Sequence, residues 1–146
     1  MLSWMLPTES TAPKKITERN RKIGFEDMKY AVQNNFLIIN TLPESLQECL
    51  IRGTTISNEE EETMNELIDN DEMDRVVILY GANSADETVE KKFSEMTEMG
   101  FKRVYIYSGG LFEWLLLQDV FNDTEFPTTT KTMDLLAFQP VRRKFH

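Results

Sequence analysis

The stretch of residues 75–93 constrains the fold most, because an apolar run, a polar segment and a helical pattern follow one another. Residues 76–80, Val-Val-Ile-Leu-Tyr, are typical of a strand buried on both faces. Behind them lies a stripe with the steps of an amphipathic helix, four, four and three residues: Ala85, Val89, Phe93 and Met96. In α/β proteins ligands bind where a central strand ends, so we expect any reactive site at residues 81–86.

Strands and helices alternate along the chain. The predicted strands are residues 36–39, 54–56, 76–80 and 104–107. The predicted helices are residues 25–33, a helix beginning at Ser57 with Met64, Leu67 and Ile68 on its inward face, the helix behind the central strand, and residues 111–117. Connections of this length allow crossovers between parallel strands. We therefore predict a three-layer α/β sandwich, with a mainly parallel sheet of about five strands between helices.

Two helix starts have the pattern of a capping box, in which a hydroxyl and an acid three residues later bond to each other's backbone amides. The first is Ser57 with Glu60, and the second is Ser84 with Glu87. Gly100 is predicted to end the third helix in a left-handed conformation. The second box predicts that the loop after the central strand is stabilised by its own side chains.

Charge is distributed unevenly. Residues 25–137 hold 8 Lys and Arg against 23 Asp and Glu, a net charge of −15, whereas residues 1–24 and 138–146 are both basic. An acidic body repels phosphate backbones, so we expect no nucleic acid at the folded part. Four consecutive acids, residues 59–62, point around the whole circumference of a helix and are predicted to be solvated.

The side chains that bind metals most tightly are nearly absent. The chain has one cysteine, Cys49, and one histidine, His146, which excludes an intramolecular disulfide and a Cys/His zinc cage. We expect no metal and no cofactor. The apolar start, residues 1–7, is too short for the core of a signal peptide. A transmembrane helix needs about 20 consecutive apolar residues, and every apolar run in the sequence is much shorter. These observations predict a cytoplasmic protein that does not contact membranes.

Two further segments carry specific patterns. Residues 100–114 fit G-F-x-x-V-Y-x-x-x-G-G-x-x-x-W, and residues 50–53, Leu-Ile-Arg-Gly, precede the short β-branched segment. With the apolar runs, they resemble a rhodanese-like domain over about residues 25–127. The first pattern is similar to the family's closing strand, double-glycine turn and tryptophan helix. The second is similar to the family's H-I-P-G-A, with Leu50 and Arg52 in place of the usual His and Pro.

The resemblance also implies where an active site would lie. Active members carry Y-C-x-x-G-x-R after the central strand, and the cysteine thiolate accepts a sulfane sulfur. Aligned on Tyr80, Gly81 stands at the position of that cysteine and Asp86 at that of the arginine. Because a glycine cannot carry a persulfide, the resemblance implies that the chain has no catalytic residue and is not an enzyme.

The residues that the resemblance places at the site fall into two groups. The degenerate loop comprises Tyr80, Gly81, Ala82, Asn83, Ser84, Ala85 and Asp86. A possible pocket rim comprises Asn40, Gly109, Gly110 and Trp114, although Trp114 at helical spacing is also typical of a core. Flanking the domain at residues 25–127, we predict a basic N-terminal extension, residues 1–24, and a C-terminal tail, residues 128–146. In this tail the turn-rich residues 128–130 lead into a loosely packed part that holds Leu135, Leu136 and Phe138.

Three functions are compatible with these residues. The first is a catalytically inactive domain that binds a protein partner or regulates one, with residues 81–87, residues 108–110 and the acidic helix as contact surfaces. The second is a divergent sulfurtransferase that uses Cys49 or a partner's thiol, although a buried, structural thiol is the commoner state of a lone cysteine. The third is a structural component whose basic tails contact an acidic partner.

Overall fold

A parallel four-stranded sheet forms the middle layer of the protein. The structure, a computed structural model, describes residues 21–132, 134–142 and 145. The strands are β1 Lys22–Ile23, β2 Leu37–Asn40, β3 Val76–Tyr80 and β4 Arg103–Tyr107, in the spatial order β1-β4-β3-β2. All three pairings are parallel. The carboxyl ends of β2, β3 and β4 therefore meet at one edge of the sheet.

Helices cover both faces of this sheet, which confirms the predicted α/β sandwich. They are α1 Phe25–Gln33, α2 Ser57–Asp69, α3 Thr88–Glu98 and α4 Gly110–Val120, with 3₁₀ turns at Glu44–Leu46 and Leu135–Phe138. One core cluster joins α1 and α4 to one face of the sheet, and a second cluster joins α2 and α3 to the other. Strand residues alternate between the clusters: Ile38 and Ile78 belong to the first, Ile39 and Val77 to the second.

The sheet has four strands instead of about five, because the predicted strand at residues 54–56 is reduced to a single contact. Thr54 forms one bridge with Ile38, and the amide of Thr55 donates to the carbonyl of Ile38 (2.8 Å). Gly53, with φ +93°, turns the chain just before this bridge, and α2 begins directly after it.

The other strand difference is β1, which no sequence pattern predicted. Lys22 pairs with Ile106 and Ile23 with Tyr107. These two residues lie inside the segment predicted as an N-terminal extension. Residues 1–20 of that extension lie outside the described residues.

Two of the predicted helix details are wrong. Met64 and Leu67 are buried as predicted, but Ile68 is 41% exposed, because it lies about 100° around the helix from Leu67 and outside the buried face. Ser57 lies inside α2, and the helix start has no side-chain cap. The predicted left-handed end of α3 at Gly100 is confirmed, with φ +109°.

The tail packs on the domain in two places, and the predicted loose packing is wrong at Phe138. Thr128 forms an antiparallel bridge with Ile51, and the Thr129 amide donates to the Leu50 carbonyl (2.8 Å). Phe138 is only 5% exposed and belongs to the core cluster on the α1 and α4 face. Helices long and apolar enough to cross a membrane do not occur in the described part of the chain.

Candidate functional site

The candidate site is the loop between β3 and α3, residues 81–87, hereafter the β3–α3 loop. Tyr80, the last residue of β3, is fully buried. Its hydroxyl accepts a hydrogen bond from the Ile51 amide (3.1 Å) and shares a second one with Thr54 Oγ1 (2.7 Å). Burial raises the pKa of Tyr80 well above its usual range. Tyr80 is thus a neutral structural anchor that holds the segment after β2 against the sheet.

Gly81 follows β3 directly, and no side chain fits there without displacing its neighbours. A Cβ atom on Gly81 would lie 2.5 Å from Asp86 Oδ2 and 2.5 Å from Val89 Cγ2, closer than real Cβ contacts come. The space that a nucleophile's side chain would need above β3 is therefore filled by the Asp86 carboxylate and the first turn of α3.

Asp86 holds this position through three hydrogen bonds. Its Oδ2 accepts from the Ala82 amide (2.9 Å), and its Oδ1 accepts from the amide (3.0 Å) and the hydroxyl (2.6 Å) of Thr88. Thr88 is the first residue of α3, so the carboxylate also stands at the positive end of that helix. The backbone amides of Ala82 and Thr88 are therefore bonded to the Asp86 carboxylate instead of facing a ligand.

The capping box predicted at Ser84 and Glu87 is wrong. α3 begins at Thr88, and Ser84 is exposed before the helix, so no box forms around it. Ala85, predicted as the first residue of the helical stripe, is likewise exposed outside α3. Asp86 accepts the hydrogen bond of the Thr88 amide instead. Its negative charge at the start of α3 also interacts favourably with the helix dipole.

Asn83 connects the β3–α3 loop to the tail. Its Oδ1 accepts from the Ala85 amide (2.9 Å), which closes a turn inside the loop. Its Nδ2 donates to the Phe138 carbonyl (2.9 Å). Both ends of the side-chain amide are therefore engaged within the chain.

The start of α4 packs against the same loop. The Leu111 amide donates to the Gly81 carbonyl (2.9 Å), and the Phe112 amide donates to the Ala82 carbonyl (2.8 Å). Gly110 has φ +70°, and a Cβ atom there would come within 2.8 Å of the Asn83 backbone nitrogen. This position needs glycine for its conformation and for the close approach, and α4 thereby fixes the loop from its second side.

Of the remaining predicted rim residues, Trp114 and Asn40 are buried and Gly109 is partly exposed. Trp114 is completely buried, and its Nε1 donates to the Pro127 carbonyl (3.1 Å). Asn40 is 4% exposed and its Oδ1 accepts from the Leu42 amide (2.9 Å), while its Nδ2 is buried with no hydrogen-bond partner among the described atoms. Gly109 immediately precedes α4 and packs against the Glu113 side chain.

The cleft left at the carboxyl edge of the sheet is very small. Its cavity volume is about 20 Å³, enough for roughly one water molecule, whereas small-molecule sites are commonly about 300–1,000 Å³. Its wall combines the β3–α3 loop, the start of α3 and the end of β4: Lys22, Asn83, Ser84, Asp86, Val89, Glu90, Ile106, Tyr107 and Ser108.

Tyr107, at the base of this cleft, contributes a further bond that the sequence patterns did not predict. Its hydroxyl donates to Glu113 Oε1 (2.6 Å), which joins the end of β4 to the first turn of α4. Burial, followed by the hydrogen bond and the charge of Glu113, raises the pKa of Tyr107 well above its usual range. The six-residue spacing of this pair across a turn has no distinctive sequence signal.

The family of the protein follows from sequence comparison. A sequence model of the rhodanese-like domain matches residues 38–117, more than half of the chain. The chain belongs to the rhodanese-like domain family. No curated protein matches the sequence.

Two solved structures share the fold of this rhodanese-like domain. One is a full-length protein from Lactobacillus plantarum, with 15% identity, a TM-score of 0.57, and coverage of 77% of this chain and 90% of that one. The other is the NMR structure of a rhodanese-like domain from an Anabaena protein, with 20% identity, a TM-score of 0.52, and coverage of 86% and 95%. At these identities the likeness concerns the fold alone.

Within the rhodanese-like domain, the hydrogen bond of Cys49 goes to the tail and not to the β3–α3 loop. The thiol is 4% exposed and donates to the Thr130 carbonyl (3.3 Å). It belongs to the core cluster on the α1 and α4 face. The only thiol of the chain is thus shielded from solvent by the tail segment that follows Pro127.

Proposed function

We propose that this rhodanese-like domain is catalytically inactive and serves as a protein-binding or regulatory module. The observation that carries the proposal is the Asp86 carboxylate, which lies where a side chain on Gly81 would begin, 2.5 Å from the position of its Cβ atom. The resemblance assigns that space to the nucleophilic cysteine of active members.

The chemistry of sulfur transfer supports the proposal. A sulfane sulfur has to be carried by a thiolate, which Gly81 cannot supply. The Ala82 amide, which would stabilise a bound anion, already donates to Asp86. A carboxylate at this place also disfavours thiosulfate through like charge. Each of these features would have to be reversed before the loop could bind and activate a sulfur donor.

The alternative, a divergent sulfurtransferase, has weaker support. Cys49 is buried and hydrogen-bonded to Thr130, so it would need local opening before it could react. A partner's thiol would have to enter a cleft with a volume of about 20 Å³.

The surface of α2 is the best candidate contact for a partner. The helix carries six acids and no base, and those on its outer face are exposed: Glu59, Glu61, Glu62, Glu66 and Asp69. This surface favours a basic protein segment over a nucleic acid, because the carboxylates repel phosphates.

The catalytic half of the proposal is tested by sulfur transfer from thiosulfate to cyanide. We compare the wild-type chain with Cys49→Ser, using an active rhodanese as the positive control. We expect both chains to remain at the buffer background. Turnover that scales with the concentration of the wild-type chain contradicts the proposal, and its loss in Cys49→Ser identifies Cys49 as the nucleophile.

The binding half is tested by affinity capture with the full chain and its Glu62→Lys/Glu66→Lys variant. We expect captured basic proteins to be lost with the variant and with rising salt, because both changes weaken charge attraction. Glu98→Lys, on α3, is the control for charge reversal elsewhere on the same side of the sheet. Capture that is equal for all three chains removes the acidic helix from the proposal.

A further inference from the structure

The tail segment of residues 134–139, hereafter the strap, packs on α4 and bonds to the β3–α3 loop. Its 3₁₀ turn Leu135–Phe138 packs on α4. Leu135, at one end, faces the same groove as Leu115 and Gln118 in the second half of α4. Phe138, at the other end, is buried in the core cluster, and its carbonyl accepts from Asn83 in the β3–α3 loop. The strap thus runs along α4 and ends at the degenerate site.

The strap is held by few interactions. Leu136, Ala137 and Gln139 are exposed, and the hydrogen bonds of Ala137 and Gln139 stay within the strap, to the carbonyls of Asp134 and Leu136. Among the hydrogen bonds between described residues, two leave the strap: the Asp134 amide donates to Thr132 Oγ1 in the adjoining tail (3.4 Å), and Asn83 donates to the Phe138 carbonyl. A segment held by one buried phenylalanine, one half-buried leucine and two such hydrogen bonds can detach without unfolding the sheet.

We propose that the groove beneath the strap is the binding site for a short apolar segment of a partner protein, and that the strap is its built-in competitor. This inference rests on the proposed function and adds the site and its regulation. The strap itself defines the chemistry of the ligand. A large apolar side chain fills the place of Phe138, and a free backbone carbonyl beside it accepts from Asn83 Nδ2.

The competition follows from the covalent link. A tethered segment acts at an effective concentration of the order of millimolar, so a free peptide of equal intrinsic affinity binds poorly while the strap is in place. Weakening the anchor of the strap removes the competition without altering the groove. The affinity for a free peptide then rises.

The test uses a fluorescein-labelled peptide of residues 134–142, Asp-Leu-Leu-Ala-Phe-Gln-Pro-Val-Arg, and fluorescence anisotropy with three full-length chains. We expect Phe138→Ala to bind the peptide at least about tenfold more tightly than wild type, because its own strap has lost the anchor. Leu136→Ala, changed at an exposed strap position, is the matched control and behaves as wild type. A peptide with alanine in place of Phe138 fails to bind. Equal binding by Phe138→Ala and wild type, or no binding by either, overturns the inference.

A second measurement needs no variant and therefore does not depend on the folding of Phe138→Ala. Excess unlabelled peptide is added to ¹⁵N-labelled wild-type chain. We expect the backbone signals of Ala137 and Gln139 to move toward random-coil positions while those of β3 stay unchanged. Strap signals that stay fixed, or move only as the whole domain unfolds, show that the strap is a permanent part of the core.

The two proposals fail in different experiments. Sulfur transfer by the wild-type chain removes the inactive-domain proposal and leaves displacement of the strap to be judged by the peptide measurements. A strap that cannot be displaced, in a chain silent toward thiosulfate, removes the inference and leaves the proposed function in place.

Discussion

Gly81 and Asp86 act as a pair at the scale of single residues, since the absence of a side chain at one makes room for the carboxylate of the other. The sequence showed both residues but not their contact. Ser84 with Glu87 fits the capping pattern, and Asp86 with Thr88 offers an equally local solution. Which one forms depends on the Ala82 amide, four residues upstream, and no propensity scale contains that contact.

Alanine substitutions distinguish the cap that the sequence predicted from the one that forms. We expect Asp86→Ala to lower the free energy of unfolding by about 1–2 kcal/mol, because it removes the acceptor at the start of α3 and leaves the Ala82 amide unpaired. Ser84→Ala, at an exposed position without a capping bond, changes it by less than about 0.5 kcal/mol. Urea unfolding monitored by circular dichroism measures both, and a larger loss for Ser84→Ala contradicts the assignment of the cap.

Restoring a cysteine at the end of β3 is expected to strain the loop. Gly81→Cys places Cβ against Asp86 and Val89 and destabilises the domain by roughly 1–3 kcal/mol. In Gly81→Cys/Asp86→Ala one of the two obstructing groups is gone. We therefore expect the double variant to lose less unfolding free energy than the two single variants lose together, by at least about 0.5 kcal/mol. Additive losses in a double-mutant cycle would mean that the two residues do not share this space.

At the scale of elements, the apolar runs and the helical stripes were predictable because each buries its residues through its own periodicity. β3 and α1 follow the sequence pattern. β1 and the burial of Phe138 were not predictable, since both depend on contacts far along the chain: β1 has two residues and needs β4, and Phe138 needs α4 and Asn83. Short elements are specified by their neighbours more than by their own composition.

The contact between α4 and the β3–α3 loop depends on Gly110. Gly110→Ala adds a Cβ atom in a left-handed conformation and against the backbone of Asn83, so we expect a loss of about 3 kcal/mol. Gly24→Ala is the matched control, because nothing lies within 4 Å of a Cβ atom there. Thermal unfolding of the two variants gives the comparison, and equal melting temperatures would show that the approach of α4 is not tight.

Burial of Tyr107, together with its hydrogen bond to Glu113, makes stability fall at alkaline pH. The pKa of Tyr107 is raised in the folded chain and is about 10 in the unfolded one, so its stabilising contribution is complete below pH about 10 and is lost as the pH rises above it. Such a residue adds a slope of at most about 1.4 kcal/mol per pH unit. We expect Tyr107→Phe to reduce the slope of unfolding free energy between pH 10 and about 11.5, and Tyr30→Phe, at an exposed position, to leave it unchanged. An unaltered slope in Tyr107→Phe contradicts this assignment.

At the scale of the whole molecule, acidic charge dominates the body of the domain. Residues 25–137 have a net charge of −15, and the described ion pairs, such as Lys92 with Glu60, neutralise few of these acids. Mutual repulsion opposes the compact state. The sequence predicted this property fully, because net charge depends on composition and not on contacts.

Screening of this repulsion is expected to stabilise the domain. Raising NaCl from about 20 mM to about 500 mM shortens the Debye length to a few ångströms, and we expect the melting temperature to rise by about 2–5 °C. The Glu62→Lys/Glu66→Lys variant, with less negative charge on α2, shows a smaller rise. Scanning fluorimetry measures both, and a melting temperature that falls with salt would mean that ion pairs outweigh the repulsion.

The pairing of β1 with β4 has a consequence for how the chain assembles. Lys22 pairs with Ile106 in β4, and β2, β3 and the first three helices lie between the two residues in the sequence. Contacts so distant in sequence form slowly. During synthesis on the ribosome β1 emerges early, whereas β4, its pairing partner, is translated late. The edge of β3 that pairs with β4 therefore stays open until β4 has emerged.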